Sequence, residues 1–220
     1  MYVKNVKELI AYILDVFRER RFLFSVKYLF WVVLDKLRGV DYVKNEGYDK
    51  LGTVPEQSSV FQATRDMKYL YIVLDSLNIT AEDAILDLGC GKGYLLKKFS
   101  EKYPFHFVGG VELSSRLCEI ATENLTKEKI SNFRIYHANA ACFREFDGYT
   151  YIYMFNPFPA AVMKEVMKNL HGYLSLHADR KMTIIYRNPV CHDDIVSTGD
   201  FSLKRVFRGK TSNYNVYCNQ

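Results

Sequence analysis

The stretch Ile85-Leu86-Asp87-Leu88-Gly89-Cys90-Gly91-Lys92-Gly93-Tyr94 decides how this chain is read, because an apolar run carries one acid near its end and passes into alternating glycines. Ala84 to Leu88 is short, apolar and strand-like, and from Tyr94 to Lys102 the apolar residues Leu95, Leu96 and Phe99 resume helical spacing. The glycines therefore fall in a strand-to-helix turn, where a ligand can approach the backbone and the free N–H groups at a helix start. Asp87 limits what that ligand can be. A dinucleotide fingerprint, G-x-G-x-x-G, has to hold a pyrophosphate, which a carboxylate at its mouth would repel, and the spacing here is G-x-G-x-G. A phosphate-binding P-loop would need Ser or Thr after Lys92, and Gly93 stands there instead.

The next strand, Phe105 to Val111, ends in a second acid, Glu112, with a helix from Ser114 to Leu125 behind it. Strand, glycine loop, helix, strand and acid in this order resemble the class I methyltransferases, which use S-adenosylmethionine. The resemblance implies a three-layer α/β/α Rossmann-like fold, with a mostly parallel seven-stranded sheet that ends in an antiparallel hairpin. That cofactor carries an ammonium and a sulfonium and no phosphate, so a carboxylate beside a glycine loop is electrostatically sensible. By the same resemblance, Asp87, Gly89, Cys90, Gly91 and Gly93 would line the cofactor, and Glu112, followed by Leu113, would take the ribose hydroxyls.

Phe133 to His137 alternates into a third strand, after which the family commonly has an Asp that binds the adenine amine. Asn139, followed by Ala140, stands at that position, and an amide oxygen can accept from the same amine. Tyr149 to Phe155 reads as the fourth strand and ends in Asn156-Pro157-Phe158-Pro159, where these enzymes meet their acceptor. Asn156 can accept a hydrogen bond from an amine or donate one to a hydroxyl, Pro157 fixes the backbone, and Phe158 can stack on a planar substrate or wall the pocket. The tetrapeptide resembles the Asn-Pro-Pro-Tyr signature of methyltransferases acting on adenine or glutamine amides, but Phe158 replaces the second proline and Pro159 stands where the aromatic belongs. Helices over Ser58 to Leu77 and Ala160 to Leu170, a fifth strand over Met182 to Tyr186 followed by Arg187-Asn188-Pro189, and a hairpin of Phe201 to Phe207 with Tyr214 to Cys218 complete the domain.

More narrowly, residues 39 to 190 resemble a largely uncharacterised bacterial group of class I methyltransferases. Gly39 to Gln57 reads as a polar loop, and in related enzymes a loop ahead of the first strand folds over the methionine end of the cofactor, which makes Tyr48 and Glu56 candidates here. The division expected is residues 1–57 as a helical extension with a covering loop and 58–220 as the methyltransferase domain.

The extension has its own pattern. Val6 to Phe17 carries an apolar helical stripe, Arg18-Glu19-Arg20-Arg21 interrupts it, and Phe22 to Leu34 forms a second, aromatic-rich run broken by Lys27 and holding the only tryptophan, Trp31. That second run is well short of the ~20 residues that span a bilayer. Two readings stay open, a cap over the active-site mouth and an interfacial helix through residues 1–38 resting on a membrane, and the usual fate of an apolar stripe favours the cap.

Composition agrees with a reducing, cytoplasmic location. The five cysteines form no C-x-x-C pair, and the five histidines have no metal spacing, so neither a disulfide framework nor a metal is expected. The first residues lack a small-residue cleavage site. Of the net charge of +5, residues 1 to 38 carry eight Lys or Arg against four acids, and residues 201 to 220 carry four and none, which leaves the middle at −3. The expected activity is methyl transfer to an N or O nucleophile of a protein side chain or small molecule. The alternatives are a nucleic-acid amine methyltransferase using the basic ends, and a non-catalytic cofactor-binding or membrane-peripheral module.

Overall fold

A computed structural model of the chain describes residues 22–44, 51–54, 58, 67–209 and 212–219. Short apolar segments that alternate with amphipathic helical ones favour parallel strands with helices laid across both faces, and this is the arrangement found. In chain order the elements are α1 (Phe22–Arg38), α2 (Lys68–Asp75), β1 (Ala84–Leu88), α3 (Tyr94–Lys102), β2 (Phe107–Glu112), α4 (Ser115–Lys127), β3 (Phe133–His137), a 3-10 turn (Ala140–Cys142), β4 (Tyr151–Phe155), α5 (Ala160–Leu176), β5 (Thr183–Arg187), α6 (His192–Val196), β6 (Ser202–Arg208) and β7 (Asn213–Cys218). The seven strands form one sheet in the order β3-β2-β1-β4-β5-β7-β6, with β7 antiparallel to both its neighbours and the other pairs parallel.

β1 lies in the middle, buried along its length, and its register sets Asp87 between Gly110 of β2 and Tyr153 of β4. One face of the sheet packs on α2 and α3 through Leu70, Leu74, Leu96 and Phe99. The other packs on α5 through Met163, Val166, Met167 and Leu170. The strand order reverses at β1, where β2 departs to one side and β4 to the other, and ligands of such sheets bind outside the carboxyl ends at this reversal.

Several boundaries differ from the sequence reading. β2 starts at Phe107, one residue after the His106 N–H donates across to the Asp83 carbonyl ahead of β1. β4 starts at Tyr151, although the Thr150 N–H already donates to the Ala84 carbonyl and its carbonyl already accepts from the Thr183 N–H. α5 runs six residues past Leu170 to Leu176 and carries Gly172 in its interior. The five-residue α6 was not anticipated, and of the expected helix over Ser58 to Leu77 the described part is Lys68–Asp75.

α1 belongs to the expected extension. Tyr28 packs with Val40, Tyr42 and Val43 in a small apolar cluster against Tyr94 at the start of α3. The Asp35 carboxylate accepts from the N–H groups of Tyr42 and Val43 at 2.8 and 3.0 Å, so the chain turns sharply after the helix and lies on the glycine loop. The stripe over Val6 to Phe17 lies outside the described residues.

Candidate active site

Beyond the carboxyl ends of β1, β2, β4 and β5 opens a cavity of about 320 Å³, which falls in the ~300–1,000 Å³ range of small-molecule sites. Its floor is the glycine loop. Gly89, Gly91 and Gly93 have φ of 86°, 54° and 78°, values that residues with a Cβ rarely adopt. The N–H groups of Gly89 and Cys90 both donate to the Val111 carbonyl, at 2.8 and 3.1 Å, which folds the loop back on the end of β2. A Cβ at Gly89 would lie 2.5 Å from the Pro157 Cβ, so the β1 and β4 loops meet at a distance only glycine permits. Gly89, Cys90 and Gly91 line the cavity, whereas Gly93 caps α3 and faces Ala121 and Leu125 of α4.

Two carboxylates look into this space. Asp87 is 2% exposed, and burial, followed by the nearby Glu112 carboxylate, pushes its pKa from the usual 3.8 up to about 8. Glu112 accepts from the N–H of Gly91 at 3.0 Å through one oxygen and from the N–H of Ser114 at 2.9 Å through the other. Burial raises its pKa as well, against the lowering effect of those N–H groups. Each Glu112 oxygen keeps a second lone pair for a hydroxyl donor. Among the described residues Asp87 has no ion-pair partner, and the one lysine of the loop is committed elsewhere: Lys92 Nζ lies 2.9 Å from Asp41 Oδ2 and donates to the Lys44 carbonyl at 2.7 Å. A buried acid pair lacking positive charge fits a ligand that brings an ammonium and a sulfonium.

On the β3 side, Leu113, Asn139 and Ala140 line the cavity. The Asn139 side chain accepts from the Ala141 N–H at 2.9 Å, which starts the 3-10 turn and fixes the amide at the cavity edge. On the β4 side, Asn156, Pro157 and Phe158 all line it, and Phe158, 4% exposed, is also part of the hydrophobic core. Asn156 has φ 43°, and Asn188, at the end of β5, repeats the conformation with φ 52°. Both precede proline, both line the cavity, and such strained backbone is kept only where the surroundings fix it.

Asn188 was not anticipated. The signal was present in the sequence as two Asn-Pro pairs following neighbouring parallel strands. Tyr42, Leu51, Thr53 and Ser58 also line the cavity, so the segment ahead of β1 does reach it. Tyr48 and Glu56 lie outside the described residues. His137 pairs with the Leu113 carbonyl and His192 with the Tyr217 hydroxyl, and neither lines the cavity. No group of three or more metal-ligating side chains occurs among the described residues.

The fold and the glycine-and-acid cradle at its strand reversal resemble those of the class I, S-adenosylmethionine-dependent methyltransferases, and the comparisons support that class. Residues 85–175 match the family model described as a methyltransferase domain, and they hold every cavity residue named above from Asp87 to Phe158. Fifty residues are 40% identical to malonyl-[acyl-carrier protein] O-methyltransferase of Priestia megaterium, covering 23% of this chain and 18% of that protein. The chain spans about half the length, or less, of the curated relatives it matches. Among solved structures, an RNA methyltransferase from Salinibacter ruber in complex with S-adenosyl-L-homocysteine superposes with TM-score 0.55 at 11% identity, over 71% of this chain and 92% of that one. A protein of the NADB-Rossmann superfamily from Streptococcus agalactiae gives TM-score 0.56 at 16% identity, over 71% and 69%. At these identities the likeness concerns the fold.

Proposed function

We propose that the protein transfers the methyl group of S-adenosylmethionine to an N or O nucleophile of a small molecule or a protein side chain, with residues 58–220 as the catalytic domain and residues 1–57 as its cover. The observation that carries this reading is the cavity itself, with two buried carboxylates on one wall and Asn156-Pro157 on the other. In the assignment we favour, Asp87 and the backbone of Gly89, Cys90 and Gly91 hold the methionine end, Glu112 and Leu113 the ribose, and Asn139 and Ala140 the adenine. The cofactor supplies an electrophilic methyl carbon on a sulfonium. What the chain supplies is position: in-line displacement needs the nucleophile ~3 Å from that carbon, and orientation of this kind is worth several powers of ten in rate. Asn156 accepts a hydrogen bond from the nucleophile and holds its lone pair on line, Pro157 keeps that amide in place against Gly89, and Phe158 excludes water.

The approach for an acceptor is supported by a second hollow at the same edge of the sheet. Asn188, which lines the main cavity, also lines this hollow together with Val190, Arg208, Asn213 and Asn215. Amides and one guanidinium suit a polar acceptor with hydroxyl, amide or anionic groups. A cytoplasmic location fits this chemistry, since the methyl donor is made inside cells.

The test is transfer of labelled methyl to a panel of small-molecule, peptide and nucleic-acid acceptors. With an acceptor in hand, Asn156→Ala is expected to lower turnover at least tenfold and leave cofactor affinity within about twofold. Unchanged turnover removes Asn156 from the mechanism. An acceptor that is a nucleic acid, bound with affinity falling steeply as salt rises, would favour the basic ends as its contact.

A further inference from the structure

α1 has two working faces, and the docking described above uses one of them. Tyr28 and Asp35 are 8% and 5% exposed and face the protein. On the opposite side Val26, Phe30, Val33 and Leu37 are 43%, 59%, 43% and 80% exposed. Their spacing of four, three and four residues puts them in one line along the helix. Single exposed apolar residues are ordinary, but an unbroken line of four is a contact surface.

The charges around the line are all of one sign. Lys27, Lys36 and Arg38 are exposed, Lys27 and Arg38 on one flank and Lys36 on the other, while Asp35, the single acid of α1, is buried against the Tyr42 and Val43 N–H groups. At ~1.5 Å per residue the 17-residue helix is ~25 Å long, below the ~30 Å hydrocarbon thickness, and no described helix is long and apolar enough to cross a membrane. An apolar line between cationic flanks, with the acid turned inward, is the pattern of a helix that lies in the headgroup plane. Its apolar residues sink toward the acyl chains, and the lysine and arginine stems reach up to anionic headgroups.

We propose that α1 is an in-plane anchor that seats this protein on an anionic lipid bilayer. The proposal does not depend on the transfer chemistry. Its consequence does bear on the site, because Tyr42, four residues beyond Arg38, lines the cavity and lies edge-on to Tyr94 at 5.2 Å. The anchor therefore holds the cavity-bearing end of the sheet near the membrane surface, within reach of an acceptor attached to or concentrated at that surface.

The experiment is cosedimentation of the full chain with phosphatidylcholine vesicles and with vesicles containing one-quarter phosphatidylglycerol. Binding is expected only to the second, and it should weaken as salt is raised. Phe30→Glu with Leu37→Glu should reduce it at least tenfold while S-adenosylmethionine binding stays at the wild-type value, which also shows that the variant is folded. Lys27→Gln with Lys36→Gln and Arg38→Gln, which leaves the apolar line intact, should remove the preference for anionic lipid. Three results overturn the proposal: no binding of the wild type to anionic vesicles, binding that survives both variants, and light scattering that shows a dimer which the Glu variant splits. The last would make the line a contact between two copies. Failure of the methyltransferase reading would appear separately, as absence of cofactor binding in wild type and variants alike.

Discussion

At the scale of single residues, Asp87 carries the most consequence. Burial and the neighbouring Glu112 carboxylate raise its pKa to about 8, so the folded, ligand-free protein keeps a proton that the unfolded chain has lost by about pH 5. Stability therefore falls as pH rises from about 4 toward 8, and Asp87→Asn should melt higher than wild type at pH 9. A cationic ligand reverses the preference by favouring the carboxylate. S-adenosylmethionine binding at pH 7 should then release close to one proton, seen as a binding enthalpy that depends on the ionisation enthalpy of the buffer. Asp87→Asn should release none and bind about five- to 150-fold more weakly, the ~1–3 kcal/mol lost with a buried polar contact. Equal affinity and equal proton release in the variant would remove Asp87 from the cofactor site. This residue was legible in the sequence because an acid at the end of an apolar strand, just before glycines, is chemically conspicuous, and the same holds for Glu112. Asn188 was legible only as a second Asn-Pro pair after a strand, since an amide there looks like any turn residue until its left-handed φ and its place in the cavity with Asn156 are seen. Lys92 was not legible, because a lysine in a glycine loop reads as solvated, whereas here its side chain is fully buried.

At the scale of elements, Lys92 joins two parts of the chain. Its ammonium reaches Asp41 and the Lys44 carbonyl, and Asn124 of α4 reinforces the join by donating to the carbonyls of Asp41 and Lys92 and accepting from the Asp41 N–H. The segment after α1 is thereby held on the loop that lines the cavity. Lys92→Met should cost ~1–3 kcal/mol through lost charge-assisted hydrogen bonds. It should also speed amide hydrogen exchange at Tyr42 and Val43 while leaving β1 and β2 protected. Unchanged exchange at those two amides would mean that Asp35 alone holds the segment. Strands were more legible than their limits, because apolar runs mark a buried strand while cross-strand hydrogen bonds, as at His106 and Thr150, run a residue beyond the assigned ends and leave no mark in the sequence. α5 extends beyond its expected end since packing through Leu174 outweighs the cost of an internal glycine, ~1 kcal/mol. A five-residue helix such as α6 has too few turns to show a period.

At the scale of the molecule, the sheet reversal at β1 carries a cavity walled by glycines and acids, and a helix with a basic-flanked apolar outer face, α1, leads into Tyr42 at the edge of that cavity. The three-layer architecture was legible since alternating strand and helix periods in one chain leave few ways to bury both faces. The two faces of α1, one buried and one exposed, were not, because a stripe of apolar residues does not say which face meets the protein. The most direct test of the central claim is calorimetric titration of the full chain with S-adenosylmethionine, S-adenosylhomocysteine and a nicotinamide dinucleotide. The account predicts saturable binding of the first two, proton release on binding the first, and no heat from the dinucleotide. Binding of the dinucleotide alone would mean that Asp87 and the glycine loop serve a different ligand, and would contradict the account.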